Sequence, residues 1–133
     1  MITASFRRLR DNGREYLCGF TLSGHSGYAD EGSDIVCAAV SSCAMLTANT
    51  ISESFGIDAR VSSDSENAVL EFDVVGLAGS LPEKGYMRDY ILATAHTVLH
   101  GLASHLEVLA SQYQQNIRVE YTAAQTNGGK NHA

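Results

Sequence analysis

His25 and Cys37 stand twelve residues apart in the run Gly24-His25-Ser26-Gly27-Tyr28-Ala29-Asp30-Glu31-Gly32-Ser33-Asp34-Ile35-Val36-Cys37. The histidine sits in a loop punctuated by glycines. The cysteine comes three or four residues after Ser33 and Asp34, either of which can cap a helix. This spacing predicts a thiol in the first helical turn, facing unpaired backbone N–H groups and the positive end of the helix dipole. Both favour thiolate over thiol. An imidazole on the loop entering that helix could take the thiol proton and later protonate a leaving amine. The competing reading of Cys37 is a small buried hydrophobe in an alanine-rich helix, and that of His25 an incidental loop residue.

The other reactive residue types carry weaker signals. Cys18 and Cys43 lack both the helix start and the glycine loop, and read as buried small hydrophobes. Asp34 reads as a helix cap, since its charge near a sulfur would oppose thiolate formation. Ser41 lies one turn beyond Cys37 on the same side of the helix, as a supporting hydroxyl or a packing residue. His96 and His100 have the i, i+4 spacing of two ligands on one helix face. No glutamate follows His96 in the HExxH manner, so a solvated helix flank is the expectation, with no metal and no cofactor. Tyr86 and Tyr90 could line a groove or serve as hydrophobes with a wet end.

These residues need a scaffold. The two apolar runs at 2–9 and 15–22 flank Arg10-Asp11-Asn12-Gly13, a hairpin signal. A helix follows to about Phe55, rich in Ala and Ser that permit close packing, with Gly56 as its stop. Residues 57–61 and 68–75 read as a second hairpin, the latter run alternating apolar and acidic residues. A loop with Gly76, Gly79 and Pro82 leads to a second helix over about 83–114. Its stripe is Ile91, Ala95, Leu99, Leu102, Leu106 and Leu109. A last strand covers 117–121, and the tail from Ala123 lacks apolar period. The reading is an α+β fold of order ββαββαβ, with a mostly antiparallel sheet and two helices on one face. It forms one domain over 1–122, with a tail at 123–133.

Composition narrows the function. The chain has 133 residues, with 9 basic against 15 acidic residues and a net charge of −6. That argues against broad capture of nucleic acid and suits a basic protein partner. Three cysteines without CxxC spacing suit free thiols in a reducing cytoplasm. No signal peptide is expected. No apolar stretch is expected to reach the roughly 18 residues of a membrane helix.

The pattern Gly24-His25 … Gly32 … Asp34-Ile35-Val36-Cys37-Ala38 … Ser41, with the closing Asn116-Ile117-Arg118-Val119-Glu120-Tyr121, resembles the ribosomal-processing cysteine protease family Prp. The resemblance implies a homodimeric cysteine endopeptidase with a Cys–His dyad. It further implies Cys37 as nucleophile, His25 as general base and acid, and Gly24, Asp34 and Ser41 as supporting motif residues. The implied substrate is the N-terminal extension of the large-subunit ribosomal protein L-twenty-seven, cut after an aromatic pair. The Gly-Gly-Lys-Asn-His tail and the Ser42-Cys43 pair depart from the family pattern without touching the dyad. Two other readings stay open: a ribosome-associated protein that binds a peptide without cutting it, and a thiol-transfer protein.

Overall fold

The structure is a computed structural model that describes residues 1–24, 31–74 and 85–124, with backbone only for 31–34. The chain begins with β1 (Ile2–Asp11) and β2 (Arg14–Ser23). They are joined by Asn12 and Gly13, whose φ values of 51° and 80° give the mirror-image turn that suits the twist of a two-residue hairpin. Next come α1 (Glu31–Asn49) and a π-helical turn (Thr50–Ser54), then β3 (Ala59–Asp64) and β4 (Val69–Val74). The long α2 (Tyr86–Gln112) and β5 (Ile117–Ala123) complete the order expected from the sequence. Gly56, at φ 65°, ends the first helical segment, and the Ile57 amide bonds back to the Ile51 carbonyl. The predicted loop around Gly76, Gly79 and Pro82 and the tail beyond Ala124 lie outside the described residues.

The five strands form one sheet in the order β3-β4-β2-β1-β5. All neighbours are antiparallel except β1 and β5. The even-numbered side chains Ile2, Ala4 and Phe6 of β1 are buried, as are Phe20 and Leu22 of β2 and Phe72 and Val74 of β4. They share one core with Val36, Val40, Ala44 and Ala48 of α1 and with Ala95, Leu99, Leu102 and Leu106 of α2. Both helices therefore cover the same face, which makes the fold a two-layer α+β domain. Alanine at the α1 contact positions permits the close approach its small-residue composition predicts, and the neighbour α1 approaches most closely is α2.

The run Ile35–Ser54, in which Glu53 is the one charged residue, is twenty residues long, so by length and composition it could cross a membrane. That corrects the expectation that no stretch approaches this length. Its inward stripe belongs to the core of the domain, while Ile35 and Leu46 face outward.

The open face of the sheet is organised by Arg7. Its guanidinium pairs with Asp73 at 2.8 Å, donates to Thr21 Oγ1 at 2.7 Å, and reaches the Phe20 and Phe72 carbonyls. Gly19 makes room for this bridge, since a Cβ there would stand 2.3 Å from Asp73 Oδ1. Partial burial raises the Asp73 carboxyl despite the neighbouring Arg7.

A β-bulge explains the most unexpected contact. Arg7 pairs with Gly19 and Arg8 with Leu17, so Cys18 is the extra residue in β2. The Leu17 amide instead donates to His96 Nδ1 at 2.9 Å. His96 is therefore half-buried and bonded, not the solvated flank expected from sequence, whereas His100 of the same pair is exposed. An accepting Nδ1 leaves the proton of the neutral ring on Nε2, so neither nitrogen is free to bind a metal without breaking this bond. Among the described residues no group of three or more His, Cys, Asp or Glu could hold a metal ion.

Burial, and then the charge of His100, lowers the His96 pKa below its ordinary 6.5. The unfolded chain thus binds more protons than the folded one in mild acid. Stability from this group is complete above about pH 6.5 and falls as pH drops below it. His96→Leu should cost roughly 1–3 kcal/mol at pH 7.5 by leaving the Leu17 amide unpaired. It should also flatten the loss of thermal midpoint between pH 7.5 and 5.5. Thermal unfolding of both proteins across that range is the check.

Candidate active site

The three cysteines occupy different environments, and all are free thiols. Cys18 is buried beside Leu9 and Leu92. Its sulfur points at the Arg7 carbonyl at 3.4 Å. Burial, with help from the Asp73 charge, pushes this thiol up to about 12. The reading of Cys18 as a small hydrophobe therefore holds. Cys43 is half-buried against the core. It lies six residues from Cys37 on the same helix, which separates their Cα atoms by about 9 Å along the axis. A disulfide spans at most about 7 Å, so Cys43 cannot resolve Cys37 without unwinding α1. That removes the feature on which the thiol-transfer reading depended.

Cys37 lines an open cavity of about 250 Å³. Val40 and Ser41 of α1 line the same wall, so Cys37 and Ser41 do share one side of the helix, as their spacing predicts. The floor is apolar, from Ile2, Leu22 and Leu70 of the sheet. Gly24, at the end of β2, also lines it. Three of the five residues singled out from the sequence thus meet around one space: Gly24, Cys37 and Ser41. His25 lies outside the described residues, as does the side chain of Asp34. Tyr86 and Tyr90 are exposed on the first turns of α2 and do not line this cavity.

Two expectations about the helix start are corrected. Because α1 begins at Glu31, neither Ser33 nor Asp34 is its cap, and Cys37 is its seventh residue. Only the first four amides of a helix lack intrahelical partners. Those belong to residues 31–34, so the Cys37 amide is committed to the helix ladder and cannot serve an oxyanion. The field of the dipole fades within the first turn, and Cys37 stands in the second. The residue before Glu31 lies outside the described residues, and the helix starts ahead of where a Ser33 or Asp34 cap would put it.

Gly24 is held by geometry that only glycine meets. Its φ is 84°, and an added Cβ would lie 2.4 Å from the Met1 carbonyl oxygen. Its amide donates to the Ala68 carbonyl at 3.1 Å. Ala68, itself at φ 54°, closes the turn between β3 and β4. That turn is shaped by Asp64, whose Oδ1 accepts from the Glu66 and Asn67 amides and whose Oδ2 accepts from Asn67 Nδ2. These bonds, the Asn67 side chain first, hold the Asp64 carboxyl below its ordinary value. Ser63, Asp64, Ser65 and Ala68 all line the cavity. The sequence marked this segment as a hairpin turn and carried no sign that it walls the site. It reaches the cavity only through the pairing of β4 with β2.

A thiol and a hydroxyl on one helix wall, over an apolar floor beside a constrained glycine, suit attack on a bound carbonyl compound. The family model for cysteine protease Prp matches residues 1–118 of this chain. The chain belongs to the Prp cysteine protease family. It is a cysteine peptidase of the group concerned with ribosomal processing. The ribosomal processing cysteine protease Prp of Bacillus subtilis (strain 168) is 25% identical over 119 residues, spanning 90% of this chain and 96% of that protein. The fold is shared with an essential ribosomal processing protease Prp from S. aureus, solved in complex with a substrate peptide. That match has a TM-score of 0.70 at 20% identity and covers 92% of this chain and all of the other. A Streptococcus mutans protein gives the same TM-score at 22% identity, over 93% and 96% of the two chains.

Within this Prp member, Gly24→Ala should cost about 1–2 kcal/mol of stability through its φ and its contact with Met1. The displaced backbone should lower kcat/KM on the order of 10²-fold. Chemical unfolding and peptide cleavage, run on the same preparation, separate the two effects. In a timed alkylation at pH 8, Cys18 should be the last of the three cysteines to take up iodoacetamide, read by peptide mass spectrometry.

Proposed function

We propose that this Prp peptidase removes the N-terminal extension of the large-subunit ribosomal protein L-twenty-seven during ribosome maturation. Cys37 is the nucleophile and His25 its general base and acid. The observation that carries this reading is the placement of the Cys37 thiol, with Gly24 and Ser41, on one open cavity. His25 directly follows Gly24 in the chain, which supports its role.

In the proposed reaction His25 takes the thiol proton, and the sulfur attacks the scissile carbonyl to give a tetrahedral oxyanion. The amides of residues 31–34, which have no partner within the helix, lie one turn before the thiol and are the donors nearest to it along the helix. Collapse of the intermediate expels the amine, which receives its proton from His25, and leaves a thioester on Cys37. Water then hydrolyses the thioester and regenerates the thiol. Asp34 and Ser41 support the dyad without taking part in proton transfer. The apolar floor of Ile2, Leu22 and Leu70 suits an aromatic side chain next to the bond that is cut. The net charge of −6 favours approach of a basic ribosomal-protein terminus.

The setting of this reaction is the cytoplasm and the active species a homodimer; no metal or cofactor takes part. A non-catalytic peptide-binding role is the alternative, and it differs in one respect: loss of the thiol would leave its activity intact.

A synthetic peptide spanning the extension junction should be cut once, after the aromatic pair. Cys37→Ala should abolish cleavage, and His25→Ala should lower kcat by a factor of roughly 10² or more. Liquid chromatography with mass detection reads both. Cleavage at full rate by either variant would remove that residue from the mechanism, and a peptide bound but left whole by the native protein would favour the alternative.

A further inference from the structure

Among the described residues nothing covers the border of the sheet next to the thiol cavity. Among these residues β3 is the end strand and pairs with β4 alone. Five of its six residues are exposed, with Ala59 half-buried. The outer side of such a strand presents a row of unpaired N–H and C=O groups. Proteins ordinarily blunt these borders with lysine, proline, a bulge or a covering helix. None of these devices occurs in the middle of β3, where Val61, Ser62 and Ser63 follow one another without a charge. Arg60 and Asp64 flank them. The opposite border strand, β5, packs under α2 through Ile117 and Val119 and contributes no residue to the cavity.

β3 also leads to the reacting thiol. At its C-terminal end, Ser63, Asp64 and Ser65 form one wall of the cavity lined by Cys37. An extended chain laid along the free edge of β3 would therefore run toward the sulfur. Register sorts its side chains. Val61 faces Phe72, and Ser63 faces Leu70, so these two point to the helix-covered side of the sheet. Arg60 and Ser62 face Asp73 and Glu71 on the open polar side. Phe72 is fully buried while Val61, its direct neighbour, is 47% exposed. Beyond Ala59, which packs against the core, the apolar layer thus stops one strand short of the border and leaves a shelf at Val61 that an added strand would cover.

We infer that the substrate peptide docks on β3 as a sixth strand of the sheet, its main chain bonded to the free edge. Alternate side chains fall over Val61 and toward the cavity. This rests on the peptidase reading above and adds how the substrate is held: by its backbone, with an apolar preference at every second residue and tolerance of polar residues between.

The test is a scan of the junction peptide in which each amide in turn is N-methylated, measured in two ways. Binding to Cys37→Ala is followed by fluorescence anisotropy, and cleavage by the native protein by chromatography. Docking on the edge predicts losses of roughly tenfold or more in affinity at every second residue, with little change between. Val61→Lys should raise KM about tenfold while kcat and thermal midpoint stay unchanged. A flat scan, or losses confined to the two amides flanking the scissile bond, overturns edge docking. If the unmethylated peptide is still cut, the peptidase reading survives that outcome. Alternating losses in binding without any cleavage support the edge and remove the peptidase reading. No binding and no cleavage of the unmethylated peptide overturn both.

Discussion

One hydrogen bond closes the walls of the site: the Gly24 amide donating to the Ala68 carbonyl. It ties the end of β2 to the turn between β3 and β4, and both ends of the bond line the thiol cavity. Each partner has a positive φ, which is costly for the alanine and natural for the glycine. The strain is sustained because Asp64 holds the turn from one side and the Met1 carbonyl hems in Gly24 from the other. The residue that follows Gly24 is the histidine proposed as base, so a local backbone constraint stands directly before the chemistry.

The thiol is placed by packing. Val36, Val40, Ala44 and Ala48 hold the inner stripe of α1 against the sheet. That orientation sets Cys37 half-buried at the margin of the core, where it and Ser41 border the open gap beside Leu70. Since α1 starts at Glu31, the amides left free by the helix lie a turn away from the sulfur. The helix therefore serves more to aim the thiol than to polarise it. More of the activation in the proposed mechanism falls on the imidazole, and the oxyanion must be met by amides other than that of Cys37.

Away from the site, the bulge in β2 and His96 illustrate the same economy of polar groups. An extra residue in a strand takes an amide out of the ladder, and a buried amide without a partner is costly. Here a helix histidine meets it. Spacing alone made His96 and His100 look like a ligand pair or a wet flank. Neither reading could see the bulge, because a one-residue slip between β1 and β2 leaves no mark in composition or period.

The sequence by itself determined the elements and their order. Period-two and period-3.6 patterns, the Asn-Gly turn and the stop at Gly56 are local, and local stereochemistry writes them directly into residue types. It also singled out Gly24, Cys37 and Ser41, because helix spacing and glycine punctuation are short-range signals. Tertiary structure alone decided which strands are neighbours, that the β3–β4 turn walls the cavity, that β3 stands at the end of the sheet, and what His96 bonds. These depend on contacts between residues distant in the chain. Any one of them can change with register or boundary while the local pattern stays the same.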